Sequence, residues 1–179
     1  LAPHRGRLLG LAYRMLGTIG EAEDAVQESY LRYRSAEAAI ANSRAYLVTV
    51  VTRICLDVLK SARVQREQYI GQWLPEPLIR RAGESPSPEE AVASADSVSY
   101  AFLVMLEELG PVERAVFLLR EVFDYDYAEI APIVMKSEAA CRQVFHRARQ
   151  LLAERQHRHP AGYLQRRDLT IRFLAAANE

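Results

Sequence analysis

The chain has 179 residues, half of them apolar, with 23 basic and 23 acidic side chains and a formal net charge of zero. That length suits one large or two small domains with real cores, and no apolar run reaches the roughly 18 residues of a membrane span. Cys55 and Cys141 lie far apart with no CxxC or Cys/His cluster around them, which argues against zinc and disulfides and for buried thiols in a reducing cytoplasm.

The zero balance conceals a pattern. Residues 1–70 carry ten Lys/Arg against seven Asp/Glu, a net of +3, and residues 71–135 carry four against twelve, a net of −8. Residues 136–179 carry nine against four, a net of +5. Basic ends around an acidic middle suit two separate contacts with a polyanion, although an acidic middle also serves as solubilising surface.

In chain order, Leu8, Leu11, Ala12 and Met15 predict a first helix, ended at Gly17–Gly20. A second helix opens with Glu21, Glu23 and Asp24, acids that suit the positive end of its dipole. Ala22, Val26, Ser29, Tyr30 and Tyr33 make its core face, and Asp24, Gln27, Glu28 and Arg32 the opposite one. Those carboxylates have no histidine or metal-ligand spacing beside them, so a solvated or partner-binding face is expected rather than catalysis. A polar loop spans Ser35–Asn42, and Ser43 is expected to cap a third helix. Its buried stripe is Tyr46, Leu47, Val50, Val51, Ile54, Val58 and Leu59, flanked by Arg44, Arg53, Lys60 and Arg63.

Prolines 75, 77, 86 and 88 with Gly71 and Gly83 preclude a continuous helix after Arg66. Tyr69, Ile70, Trp73, Leu74 and Leu78 are nonetheless too apolar for a purely solvated tether, so Trp73, Leu74 and Pro75 are expected to dock. A helix is predicted over Asp96–Leu109, a break at Gly110-Pro111, and another helix over Val112–Phe123. Asp126 then caps a short helix whose Tyr127, Ile130, Ala131 and Val134 share a face, with Pro132 inside it. Met135 occupies the turn where glycine would most easily supply a positive φ. Ser137 caps a longer helix with an apolar arc at Cys141, Val144, Phe145, Ala148, Leu151 and Leu152. Its other arc carries Arg142, Gln143, His146, Arg147, Arg149 and Gln150. A short helix, a tight turn and a longer helix of this kind describe either a helix-turn-helix fit for a major groove or a helical hairpin with a solvated face.

The strings AYRMLGTIGEAEDAVQESYLRYR and SRAYLVTVVTRICLDVLKSAR resemble region 2 of a bacterial sigma factor of the extracytoplasmic-function (ECF) type. LEELGPVERAVFLLREVFDYDYAEIA with SEAACRQVFHRARQLL resembles the promoter-reading region 4. GQWLPEPL and the closing DLTIRFLAAANE resemble the ECF subgroup with a C-terminal SnoaL-like domain, of which this chain is read as a truncated form.

The resemblance implies an all-α fold of two small helical domains joined by a Pro-rich linker. Residues 1–67 would be region 2, 68–95 the linker, 96–156 region 4, and 157–179 the start of the SnoaL-like domain. It implies a non-enzymatic cytoplasmic subunit whose partners are core RNA polymerase and promoter DNA, with no cofactor or metal. By that resemblance Asp24, Gln27 and Glu28 bind core. Ser35, Asn42, Ser43, Arg53, Lys60 and Arg63 serve the −10 element, and Ser137, Arg142, Gln143, His146 and Arg147 the −35 element. Two rival readings are a stand-alone helix-turn-helix regulator and a SnoaL-like small-molecule module. No nucleophile–base constellation supports the latter.

Overall fold

Helix α3, Ser43–Arg66, has neighbours on both sides, and the other helices are arranged around it. The computed structural model describes residues 2–36, 40–66 and 100–158. One side of α3 packs on α1 (Ala2–Leu16) and α2 (Ile19–Ala36). The other side meets α5 (Pro111–Phe117) and α6 (Tyr127–Val134). A short α4 (Tyr100–Leu106) precedes α5, and α7 (Glu138–Arg158) closes the described chain. Among the described residues there is no strand and every element is helical, in line with the all-α expectation.

Local chemistry sets the helix ends. Gly17 stops α1 in a left-handed conformation, φ 86°, and its N–H donates to Tyr13 at 2.8 Å. The second helix starts at Ile19, two residues before the acid-rich start expected, and the Thr18 hydroxyl donates to Glu21 Oε2 at 2.6 Å. It also runs on to Ala36, so Ser35 belongs to its last turn rather than to a loop. Asn42, not Ser43, caps α3, because its Oδ1 accepts the Ala45 N–H at 3.0 Å. Pro111 opens α5 at a position that needs no N–H, and Glu113 Oε2 accepts the Gly110 N–H at 3.0 Å.

The helix expected over Val112–Phe123 is α-helical only to Phe117. Leu118–Val122 widen into a π-helical turn. Phe123 then donates to Leu118 at 3.1 Å and Tyr125 to Leu119 at 2.9 Å, across Asp124 at φ 57°. The wider turn leaves Phe123 and Tyr125 buried and Asp124 exposed.

Buried apolar side chains form one cluster running from Leu8 in α1 to Leu152 in α7. The buried face of α3 is broader than the stripe read from its periodicity: Val48, Thr52, Cys55 and Leu56 are buried with Leu47, Val51 and Leu59. Tyr46, Val50, Ile54 and Val58 are only half-buried. A helix covered on two sides needs an apolar arc wider than a single-sided stripe.

Candidate nucleic-acid interface

The turn before α7 is built as a helix-turn-helix requires. Met135 ends α6 at φ 54°, ψ 50°, and the Lys136 N–H returns to Ala131 at 3.0 Å. Left-handed geometry is costly for a side chain with a Cβ, and Met135 is also 72% exposed. Ser137 Oγ accepts the Ala140 N–H at 3.2 Å and caps α7. Ahead of the turn, Glu129 Oε2 accepts the Asp126 N–H at 2.9 Å, while the Asp126 carboxylate accepts from Arg120 at 3.1 Å.

Cys141, Val144, Ala148 and Leu152 are buried beneath α7, which packs on α5 and α6. Phe145 stacks on Phe117 with ring centroids 6.1 Å apart and meets Tyr127 edge-on, also at 6.1 Å. The structure thereby brings Arg142, Gln143, His146 and Arg147 together on one exposed face over more than one helical turn, with Ser137 at its head. Arg149 and Gln150 extend that face. Such a surface offers donors and acceptors to base edges from a rigid element.

On α2, Asp24 and Gln27 are exposed and Glu28 accepts from Arg32 Nε at 2.8 Å. Leu31 continues the same face and is 56% exposed. The sequence reading missed it, although the spacing 24-27-28-31 is the signal that would have found it.

The residues read for the −10 element do not share one free surface. Ser35 Oγ donates to Arg32 O at 2.9 Å, and the Asn42 carboxamide oxygen is engaged as the α3 cap. Lys60 lies 3.9 Å from Asp57 on an exposed face. Arg63 lies on α3. Arg53 points the other way: Nη2 donates to Pro132 O at 2.7 Å and Nε to Ile133 O at 3.2 Å. Those carbonyls end α6 and lack partners within the helix, so a guanidinium from α3 caps the first helix of the helix-turn-helix. Trp73, Leu74 and Pro75, and residues 159–179 of the 157–179 segment read as SnoaL-like, fall outside the described residues.

Two further contacts join the N-terminal helices to the C-terminal ones. Arg7 Nη2 donates to Phe123 O at 2.9 Å, and the guanidinium carbons of Arg7 and Arg14 lie 5.4 and 5.7 Å from the Phe123 ring centre. Arg114 is 3% exposed; its Nη1 donates to Met15 O at 2.6 Å and to Glu107 Oε1 at 3.0 Å. Nothing in the sequence marked Arg14 or Arg114 as buried. Beside these contacts, a cleft of about 180 Å³ opens between Asn42 and Arg44 on one side and Asp124, Tyr125 and Glu129 on the other.

Neither thiol is poised as a nucleophile. Burial pushes Cys55 up to about 12, and burial also raises Cys141. Among the described residues no group of three or more His, Cys, Asp or Glu is placed to hold a metal ion. No described helix is long and apolar enough to cross a membrane.

Comparison with known proteins places these helices in a family. Residues 1–64 match the model for sigma-70 region 2, and residues 99–152 the model for sigma-70 region 4. The chain is 45% identical to the ECF RNA polymerase sigma factor SigJ of Mycobacterium tuberculosis, over 81% of this chain and 46% of that one. It is 39% identical to the probable ECF RNA polymerase sigma factor SigI of the same species, over 98% of this chain and 60% of that one. The chain thus spans about half the length of the curated relatives it matches. A crystal structure of M. tuberculosis SigJ superposes with TM-score 0.69 at 40% identity, covering 89% of this chain and 54% of that one. The sigma factor RpoE of Bartonella quintana, solved with the anti-sigma factor NepR, shares the fold at TM-score 0.63 and 18% identity, covering 84% and 89%.

Proposed function

The chain belongs to the ECF group of the sigma-70 family, and from that premise we propose that it is a dissociable specificity subunit of bacterial RNA polymerase. It acts in the cytoplasm, binds core enzyme, reads the −10 and −35 promoter elements and catalyses nothing alone. The observation that carries this reading is the polar face of α7, presented by a helix-turn-helix in a chain that matches regions 2 and 4 in order.

In this reading the N-terminal helices form the domain for core and the −10 element, and the C-terminal helices the domain for the −35 element. Asp24, Gln27 and Glu28 face core polymerase, where a polar, acidic surface suits basic partner residues. Ser35, Asn42 and Ser43 surround a base flipped from the −10 strand, and Arg53, Lys60 and Arg63 neutralise phosphates. Ser137, Arg142, Gln143, His146 and Arg147 address the −35 major groove. Arg53 spends Nη2 and Nε on the end of α6, and its exposed guanidinium keeps further N–H donors for a phosphate. Regulation by a SnoaL-like domain through Trp73, Leu74 and Pro75 rests on resemblance alone.

Reconstitution with core polymerase and run-off transcription from candidate promoters tests the proposal. Core with this chain should initiate at defined starts, and core alone should not. Asp24→Lys with Glu28→Lys should abolish co-purification with core while leaving the fold intact. Stable operator binding by the chain alone, with no transcription when core is added, would refute the assignment in favour of a stand-alone regulator.

A further inference from the structure

Arg142 is held differently from its neighbours on α7. Its Nη2 donates to Glu138 Oε2 at 2.9 Å, one turn back on the same helix, and its guanidinium carbon lies 5.4 Å from the Tyr127 ring centre. Tyr127 belongs to α6, so the side chain is bound to both helices of the motif. The ring is itself fixed: it meets Phe145 edge-on, and Phe145 stacks on Phe117 of α5. Arg120 lies over the same ring at 5.2 Å and is tied to Tyr125 O at 2.9 Å and to Asp126 Oδ1 at 3.1 Å. A chain of contacts therefore runs from the core to an arginine on the outer face of the motif. Gln143, His146 and Arg147 are exposed with no comparable support among the described residues.

We propose that Tyr127 and Glu138 are positioning residues that hold Arg142 ready to read one guanine of the −35 element. This rests on the sigma-factor reading above. Chemically, the ring takes one face of the guanidinium and the carboxylate takes one N–H. A guanidinium has five N–H donors, so enough remain for the two acceptors, O6 and N7, on the major-groove edge of guanine. An unsupported exposed arginine samples many rotamers, most of which miss that edge. Restricting it beforehand lowers the entropy lost on binding and narrows the bases it accepts. The Glu138 carboxylate also repels phosphate, which steers the guanidinium toward a base rather than the backbone.

The test uses holoenzyme reconstituted from core and this chain, a promoter pool randomised across the −35 element, and sequencing of the transcripts. Arg142→Ala should reduce preference at one base position about ten-fold. Glu138→Gln and Tyr127→Leu should reduce preference at that same position about three-fold, with preference at the other −35 positions unchanged. Tyr127→Phe keeps the ring face and should give the wild-type profile, which a role for the Tyr127 hydroxyl would not predict. Glu138→Gln is a surface change and reports even if Tyr127→Leu proves unstable. An even loss at every position, or an unaltered preference at the Arg142 position, overturns the proposal. Wild-type holoenzyme that does not transcribe at all overturns the sigma-factor reading instead.

Discussion

Arg114 offers a sharp test of how the two halves of the molecule hold together. Its side chain is 4% exposed and its Glu107 partner 15% exposed, and Nη1 serves both Glu107 and the Met15 carbonyl at the end of α1. Arg114→Met keeps much of the apolar stem but removes the charge and both bonds. Breaking a buried ion pair by removing one partner costs about 3–5 kcal/mol, and a stranded buried carbonyl about 1–3 kcal/mol. Two features reduce that figure. Glu107 is open enough to regain some water, and Arg114 Nε is buried without a partner, a cost that the substitution removes. A loss of about 3 kcal/mol follows, measurable by urea denaturation at unchanged m-value. The paired change Arg114→Met with Glu107→Leu should recover most of it, because neither charge is then left buried alone. Hydrogen exchange should also quicken in the last turn of α1, around Met15, in the single variant. A single-variant loss below about 1 kcal/mol, or a double variant no better than the single, would refute the reasoning.

Met135→Gly should stabilise the protein by about 0.5–1 kcal/mol, since a strained φ of 54° is relieved and a side chain 72% exposed loses little burial. A lower melting temperature would show that the methionine contributes contacts the exposure hides. Arg53→Ala should cost about 1 kcal/mol by uncapping α6, and should weaken promoter binding evenly across sequences rather than alter preference. Cys55, raised by burial from 9.0 to about 12, should resist alkylation at pH 8 until denaturant is added. Because the folded value is the higher one, its contribution to stability is intact below pH 9 and declines as pH rises from there toward 12. A Cys55→Ser variant that loses stability equally over that range would place the effect elsewhere.

Several features needed nothing beyond local sequence. A 3.6-residue apolar repeat specifies which face of a helix is buried, so the buried face of α7 and the exposed Asp24 and Gln27 of α2 were legible from spacing alone. Ser137 as a cap and the positive φ at Met135 follow from bonds that close within five residues. The same locality explains the errors at Asn42 and Ser43, where two adjacent residues both suit the capping role and only the register of the first turn selects one. The π-helical turn at Leu118–Val122 was not legible, because its apolar pattern continues that of α5.

Tertiary structure alone decided what covers each arginine. Arg14 and Arg114 are buried, Arg142 lies exposed on an aromatic ring, and Arg53 caps a helix 79 residues away. In sequence, each is a basic residue on or near the edge of an apolar stripe. The physical reason is that periodicity reports the direction in which a side chain leaves its own helix. Desolvation, pairing and free charge depend on which other helix arrives there. For α3, with neighbours on two sides, that arrival buried Val48, Thr52, Cys55 and Leu56 beyond the stripe its own spacing predicted, and took Arg53 as the cap of the helix that precedes the turn.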